Sequence, residues 1–137
     1  MEAPENGRPS GVAGVGIDLV AVAEIRELDE RTGGAFTERT FTEEERRAAE
    51  KAPDPWEFYA GRYAVKEAVF KAIAPRCREP FDFRRIETVN EPSGRPCVVM
   101  TPELRRVCAG ARVSGILVSI SHAGGLAAAI AEATEEP

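Results

Sequence analysis

A carboxylate and an amine lie one helical turn apart in the stretch RYAVKEAVFKAIAP, residues 62–75. The stretch predicts a helix that is apolar on nearly every face, with Glu67 and Lys71 among aromatic and small side chains. Arg62 and Lys66 are predicted to form a separate solvated edge. Because an isolated buried carboxylate is costly, Glu67 needs a partner. One possibility is an ordinary i, i+4 ion pair with Lys71. The other is that Glu67 is a ligand of a hard cation such as Mg²⁺, while Lys71 binds an anionic oxygen beside it.

Two further residues could complete such a site. Asp18 stands where an apolar strand gives way to a helix, so it is either a second carboxylate ligand or a cap for a helix that begins at Leu19. His122 is the only histidine, and it lies between a strand and a Gly-rich turn. No second histidine or cysteine is close to it in sequence, so a zinc site is not expected. Ser119 and Ser121 share one face of the preceding strand.

The predicted strands and helices along the chain must position these residues. GVAGVGIDLV predicts a buried first strand that ends near Asp18, and the spacing of apolar residues then predicts a helix that Gly33 and Gly34 stop. Thr42 and Glu45 have the spacing of a capping box for a short helix. The central helix is predicted over residues 55–74, with Asp54 as its N-cap, Pro55 at its first position and Pro75 after its end.

The second half of the chain has a different pattern. FRRIETVN and CVVM predict two strands around the turn EPSGRP, and TPELRRVCAG predicts a short helix. SGILVSIS predicts a strand, HAGG a turn, and LAAAIAEA a returning strand or a short helix. The fold class predicted from this order is α+β, an antiparallel sheet with a long central helix packed on it.

Length and composition limit the class of protein. The 137 residues fit one domain, predicted at residues 12–132 between a flexible N-terminal tail (1–11) and a C-terminal tail (133–137). No apolar run approaches the roughly 18 residues of a membrane span, and MEAPENGRPS lacks the apolar core of a secretion signal. Three cysteines without CxxC spacing fit reduced thiols, so a cytoplasmic location is expected. The net charge of −5 argues against nucleic-acid binding.

Five stretches together resemble the short, single-domain holo-[acyl-carrier-protein] synthases of bacteria, which are 4′-phosphopantetheinyl transferases. They occur in the family's order over about residues 12–131: GIDLV (16–20), RTFTEEE (39–45), AGRYAVKEAVFKAI (60–73), PSGRP (92–96) and SISH (119–122). GIDLV alone is a weak match, whereas GRYAVKEAVFKA followed by SISH is specific. The resemblance implies the α+β fold of that family and homotrimers with active sites between protomers.

The resemblance also implies a reaction and a set of site residues. Phosphopantetheine would pass from coenzyme A to a serine of an acyl carrier protein, with Mg²⁺ present, and adenosine 3′,5′-bisphosphate would be released. Asp18 and Glu67 would bind Mg²⁺, and Lys71 would touch the same phosphates. Either Glu67 or a metal-bound water would accept the serine proton. The remaining coenzyme pocket would be lined by Arg62, Gly94, Arg95, Pro96, Ser121 and His122.

The residue at position 24 departs from the family pattern. Family members commonly carry an arginine there, which helps to hold the acidic carrier protein, whereas this chain has Glu24. Other basic residues either compensate or form an ordinary solvated surface. They are Arg26, Arg31, Arg39, Arg46 and Arg47. The change predicts a dedicated carrier domain, for example of polyketide or fatty-acid synthesis, in place of the general one.

Three other interpretations compete with this one. A protein of the same fold could bind or modify carrier-bound substrates without transferring phosphopantetheine. GVAGVG suggests a dinucleotide-binding loop, but its spacing fails the GxGxxG pattern and no strand precedes it. A purely structural oligomer would leave Glu67 without an explanation.

Overall fold

The structure, a computed structural model, describes residues 11–135. These residues form an α+β fold, as predicted, in which one strand and four helices are followed by two strands, a fifth helix and two further strands. The strands are β1 (Val12–Ala21), β2 (Thr88–Asn90), β3 (Pro96–Val98), β4 (Val113–Ala123) and β5 (Leu126–Glu135). The helices are α1 (Val22–Arg31), α2 (Ala35–Thr40), α3 (Glu43–Lys51), α4 (Pro55–Ile73) and α5 (Pro102–Ala111). Two short 3₁₀ turns cover Ala74–Arg76 and Phe83–Arg85.

The main sheet is antiparallel and has the strand order β1-β5-β4. The two-residue turn between β4 and β5 consists of Gly124 and Gly125, with φ of 56° and 77°. Positive φ at both positions is the geometry that hairpin turns favour. The LAAAIAEA stretch is therefore a strand, and it forms the centre of the sheet. Strands β2 and β3 form a separate hairpin.

Helix α4 packs on the inner face of the main sheet at very short range. The side chains that β5 directs towards it are all alanines, at most 2% exposed: Ala127, Ala129, Ala131 and Ala133. On β1, a Cβ at Gly14 would lie 2.0 Å from the carbonyl oxygen of Ala72, and one at Gly16 would lie 1.9 Å from that of Ala68. Only glycine allows this approach. Close packing on several sides explains why the α4 sequence is apolar nearly all round.

The outer face of the same sheet is apolar and exposed. Val15, Ile17, Leu19, Leu117 and Ile130 are 46–65% exposed. Ile17 and Ile130 are direct partners across β1 and β5. The prediction of a buried first strand is therefore right for one face of β1 and wrong for the other within this single chain.

The predicted solvated edge of α4 is wrong, because Arg62 is 5% exposed and Lys66 is fully buried. Lys66 Nζ donates hydrogen bonds to Glu45 Oε1 (2.7 Å) and to the carbonyl oxygens of Arg84 (2.9 Å) and Ile86 (2.6 Å). Burial lowers the pKa of Lys66, and the adjacent Glu45 carboxylate opposes that shift. The buried ion pair fixes α3 and the segment around Ile86 against α4.

Asp18 does not cap a helix, since β1 continues to Ala21 and α1 begins at Val22, not at Leu19. The Thr42–Glu45 capping box and the Asp54 cap of α4 are confirmed. Helix α2 was not predicted, and FRRIETVN is a 3₁₀ turn followed by only three residues of strand.

Strand β5 reaches Glu135, so residues 133–135 belong to the sheet and are not part of a tail. The other predicted tail residues, 1–10 and 136–137, lie outside the described part of the chain. Within residues 11–135, no helix is both long and apolar enough to cross a membrane.

Candidate active site

Asp18 and Lys71 meet on the inner side of β1. Lys71 Nζ donates hydrogen bonds to Asp18 Oδ1 (3.1 Å) and to the carbonyl oxygen of Ile17 (3.0 Å). The Asp18 side chain is 15% exposed and that of Lys71 is 51% exposed. Strand β1 directs Asp18 to the same face as Gly14 and Gly16, so the short strand–helix distance brings the two side chains together. Lys71 thus pairs with Asp18, and no ion pair joins it to Glu67 among the described residues.

Glu67 lies one turn before Lys71 on α4 and beside Tyr63. The pKa of Tyr63 is raised to about 12, first by burial and then by the charge of Glu67 and a hydrogen bond to it. The charges of Asp18 and Glu24 contribute in the same direction. Three carboxylates therefore surround the Tyr63 phenol, which stays protonated and can donate to Glu67. No role for Tyr63 was predicted from the sequence, although Tyr63 and Glu67 have i, i+4 spacing.

The carboxylates of Asp18 and Glu67 are suited to a magnesium ion that also binds water and substrate. They are less suited to a metal whose ligands all come from the protein. No group of three or more His, Cys, Asp or Glu side chains suited to a metal occurs in residues 11–135. Mg²⁺ commonly takes one or two carboxylates together with water and substrate phosphates. We name Asp18, Glu67 and Lys71 the carboxylate cluster. Its two carboxylates and one amine match that donor set and leave the remaining positions to a phosphate-bearing ligand.

His122 packs against the first half of α4. Its Nε2 lies 3.0 Å from the carbonyl oxygen of Glu57, and since a carbonyl only accepts, Nε2 carries the proton. Its Nδ1 lies 3.7 Å from Glu57 Oε1, beyond hydrogen-bond range. A Cβ at Gly61 would lie 3.0 Å from Nε2, so this glycine makes room for the imidazole. Ser121, by strand alternation, lies on the outer face of the sheet and so points away from His122.

Arg62 contacts the hairpin of β2 and β3. Its Nη2 donates a 2.8 Å hydrogen bond to Asn90 Oδ1, and its guanidinium carbon lies 4.5 Å from the centre of the Phe58 ring. The turn of this hairpin carries three predicted coenzyme-pocket residues, Gly94, Arg95 and Pro96. Arg95 is exposed, and its carbonyl oxygen accepts a 2.8 Å hydrogen bond from the Glu91 amide. Asn90 was not predicted from the sequence.

The candidate metal and coenzyme residues that lie on or against α4 form two groups. We name Arg62, His122, Gly94, Arg95 and Pro96 the hairpin group. Its member His122 contacts α4 at Glu57, about 15 Å along the helix axis from Glu67, and Arg62 lies about 7.5 Å from Glu67 along that axis. Arg62 and Glu67 are also about 140° apart around that axis. The structure therefore assembles the carboxylate cluster and places the hairpin group elsewhere on the helix.

The basic residues predicted to hold a partner have different environments. On α1, Arg26 pairs with Glu30 (2.9 Å) and Arg31 with Glu27 (2.8 Å), so both charges are matched within the helix. The remaining three lie on or beside α2 and α3. Arg47 pairs with Glu43 and Glu44, Arg46 Nε is buried without a hydrogen-bond partner among the described residues, and exposed Arg39 lines two adjoining concave surfaces beside Tyr63.

Known proteins are similar to this chain in sequence and in fold. A family model described as the 4′-phosphopantetheinyl transferase superfamily matches residues 14–131. With an α+β fold, a carboxylate cluster and most of its length matched, the chain is a phosphopantetheinyl transferase by class.

Individual relatives identify the family within this class. A holo-[acyl-carrier-protein] synthase of Desulforudis audaxviator is 41% identical over 120 residues, 88% of this chain and 91% of that protein. One of Mycobacterium ulcerans is 41% identical over 128 residues, 88% of this chain and 95% of the relative. The chain belongs to the holo-[acyl-carrier-protein] synthase family.

Solved structures of this family have the same fold. The crystal structure of the synthase from Neisseria meningitidis superposes with a TM-score of 0.81 at 30% identity, covering 89% of this chain and 98% of that one. The synthase from Helicobacter pylori, solved in complex with coenzyme A, gives a TM-score of 0.74 at 27% identity, with 87% and 98% covered.

Proposed function

We propose that this protein transfers 4′-phosphopantetheine from coenzyme A to a serine of an apo acyl carrier protein, with Mg²⁺ as the metal. The observation that carries the proposal is the carboxylate cluster, in which Asp18 and Lys71 are 3.1 Å apart and Glu67 lies one turn away. Relatives named holo-[acyl-carrier-protein] synthase, one of them solved with coenzyme A, support this substrate pair.

In this reaction the serine hydroxyl oxygen attacks the phosphorus that carries pantetheine. The bond from that phosphorus to the bridging pyrophosphate oxygen breaks, and adenosine 3′,5′-bisphosphate leaves with the electron pair. Charge on the non-bridging oxygens must be neutralised, and positioning supplies most of the rate. Mg²⁺, when held by Asp18 and Glu67, would supply most of that neutralisation.

The side chains of the cluster would bind a phosphate oxygen and accept the serine proton. Lys71 is half exposed and supplies a mobile ammonium that can move from Asp18 to a phosphate oxygen. Glu67 is a candidate to take the serine proton, and Tyr63 orients the Glu67 carboxylate by donating a hydrogen bond to it. Because the pKa of Tyr63 is raised to about 12, the phenol remains a donor throughout the neutral range.

We infer that the active enzyme is a homotrimer with sites between protomers. Two observations support a shared site. The hairpin group and the carboxylate cluster lie on different parts of α4, so a coenzyme that used both groups of one protomer would have to wrap around the helix. The outer sheet face also exposes a continuous apolar surface, which is typical of an interface between copies.

The carrier is proposed to be a dedicated domain, for example of polyketide or fatty-acid synthesis. Helix α1 carries Glu24, and its two arginines are already paired within the helix. An acidic carrier would then find its charge partners elsewhere, and Arg39 is the exposed candidate beside Tyr63. With coenzyme A and an acyl carrier protein as its substrates, the protein is proposed to act in the cytoplasm.

The test is incubation with coenzyme A and several purified apo carriers, read by intact mass for the added phosphopantetheine. We expect transfer with Mg²⁺, loss of transfer with EDTA, and fastest turnover on a dedicated carrier. Fastest turnover on the host's general fatty-acid carrier would contradict the carrier assignment. Absence of transfer to every carrier would favour a same-fold protein that only binds carrier-bound substrates.

A further inference from the structure

Arg62 is a buried cation that forms no ion pair with a carboxylate in the described part of the chain. The residue is 5% exposed, and burial lowers the pKa of its guanidinium. Glu45 is the carboxylate that opposes this shift, but it already accepts a 2.7 Å hydrogen bond from Lys66. Arg62 Nε is buried with no hydrogen-bond partner among residues 11–135. Buried charges are normally paired, so this guanidinium is suited to an anion that residues 11–135 do not supply.

Among the described side chains, Asn90 is the hydrogen-bond acceptor for this guanidinium: its Oδ1 accepts a 2.8 Å hydrogen bond from Arg62 Nη2. An arginine only donates hydrogen bonds, so the amide oxygen of Asn90 must face it. Asn90 is the last residue of β2 and pairs with Pro96 at the start of β3. The next residue, Glu91, closes the turn through a 2.8 Å hydrogen bond from its amide to the carbonyl oxygen of Arg95. One side chain thus connects Arg62 to the hairpin turn.

We propose that Asn90 is a positioning residue for coenzyme binding, which orients Arg62 and fixes the hairpin turn relative to it. The inference rests on the proposed function, with Arg62 and the turn in the coenzyme pocket as the family resemblance implies, and it assigns the anion beside Arg62 to a phosphate of coenzyme A. A neutral amide is suited to this task, because it orients the guanidinium without cancelling its charge. A carboxylate at the same position would hold Arg62 equally well but would compete with the phosphate for it.

The experiment measures coenzyme A binding by titration calorimetry and steady-state transfer for five variants. Asn90→Ala removes the acceptor, and Asn90→Asp keeps an acceptor but adds a negative charge. Arg62→Ala and the double variant Arg62→Ala/Asn90→Ala test whether Asn90 acts through Arg62. Val89→Thr is the matched control, since Val89 is exposed and lies next to Asn90 on the same strand, where alternation directs its side chain to the opposite face.

We expect Asn90→Ala to weaken coenzyme A binding about tenfold, since a hydrogen bond to a charged group is lost. The Km for coenzyme A should rise with it, while kcat changes less than about twofold. Asn90→Asp should also bind more weakly than the wild type, with a thermal midpoint no lower. In the Arg62→Ala background, Asn90→Ala should add nothing. Val89→Thr should match the wild type throughout.

Each alternative result has a distinct meaning. A lower thermal midpoint with unchanged affinity in Asn90→Ala would overturn the inference in favour of a purely structural role. The same factor of weakening in both backgrounds would also overturn it, because Asn90 would then act independently of Arg62. If the wild type binds coenzyme A but transfers nothing, the proposed function fails and the affinities still decide the role of Asn90. If it neither binds nor transfers, both fail.

Discussion

Two neighbouring residues of α4, Lys66 and Glu67, have opposite environments. Lys66 is fully buried and hydrogen-bonded to three oxygens, whereas Glu67 is half-buried and borders the candidate site. The sequence predicted that Lys66 is exposed. In a helix that is apolar on nearly every face, residue spacing does not show which charged side chains face solvent. The partner that decides the matter, Glu45, lies 21 residues earlier, on another helix. Only the tertiary packing of α3 on α4 brings the two together.

Lys66→Met should destabilise the protein by about 3–5 kcal/mol, because it leaves the Glu45 carboxylate buried without its cation. Urea unfolding followed by circular dichroism measures this. Lys71→Met is the matched control on the same helix, and it should cost less than about 1 kcal/mol since the Lys71 pair is half exposed.

The double variant Glu45→Gln/Lys66→Met separates charge from packing. It should recover part of the stability lost in Lys66→Met, since no buried charge then lacks a partner. Equal losses for Lys66→Met and Lys71→Met would show that the buried pair does not stabilise the fold.

At the level of elements, the position of α4 depends on small residues in the strands beneath it. Gly14, Gly16 and the inward alanines of β5 let the helix axis approach the sheet closely enough for Lys71 to reach Asp18. A larger residue in β1 would push the helix away and separate the cluster.

Gly16→Ala should therefore lower the free energy of unfolding by about 2 kcal/mol or more, because its Cβ would lie 1.9 Å from a backbone oxygen of Ala68. Gly110→Ala is the matched control, since nothing lies within 4 Å of a Cβ there and the residue is in α5. That variant should be neutral or up to about 1 kcal/mol more stable. Thermal and urea unfolding measure both, and similar stability in the two variants would contradict the close-packing account.

The elements with local chemical markers were predictable. The Thr42–Glu45 box, the Asp54–Pro55 start of α4 and the Thr101 cap of α5 depend on residues adjacent in sequence. Helix α2 has no such marker, because its N-cap is Gly34. Its first amides donate instead to side chains outside the helix, Phe36 N to Thr32 Oγ1 and Thr37 N to Asp29 Oδ1, each at 2.9 Å. Asp18, Glu67 and Lys71 were predicted as one site, whereas the hydrogen bond from Arg62 to Asn90 was not predicted, because the two residues are 28 positions apart.

At the scale of the whole molecule, one protomer presents the carboxylate cluster and the hairpin group on different parts of α4. The exposed apolar sheet face offers a surface by which a second copy could bring the two groups together. Neither property is visible from residue spacing, because both depend on the direction in which α4 crosses the sheet.

Mixing two inactive variants tests this arrangement. Glu67→Gln removes a carboxylate of the cluster, and His122→Ala removes the imidazole of the hairpin group. Each variant should be nearly inactive alone. After co-expression, random assembly should restore about a quarter of the sites, since a site between protomers can draw its two halves from different chains. Transfer no greater than the sum of the two variants would place both halves of each site in one protomer.

The most direct test of the central claim is the transfer activity of Glu67→Gln, with Glu50→Gln on the exposed side of α3 as its control. The measurement is the intact mass of an apo carrier after incubation with coenzyme A and Mg²⁺, with circular dichroism to confirm the fold. We predict that Glu67→Gln nearly abolishes transfer while folding normally and that Glu50→Gln matches the wild type. Wild-type transfer by folded Glu67→Gln would contradict the role assigned to the carboxylate cluster.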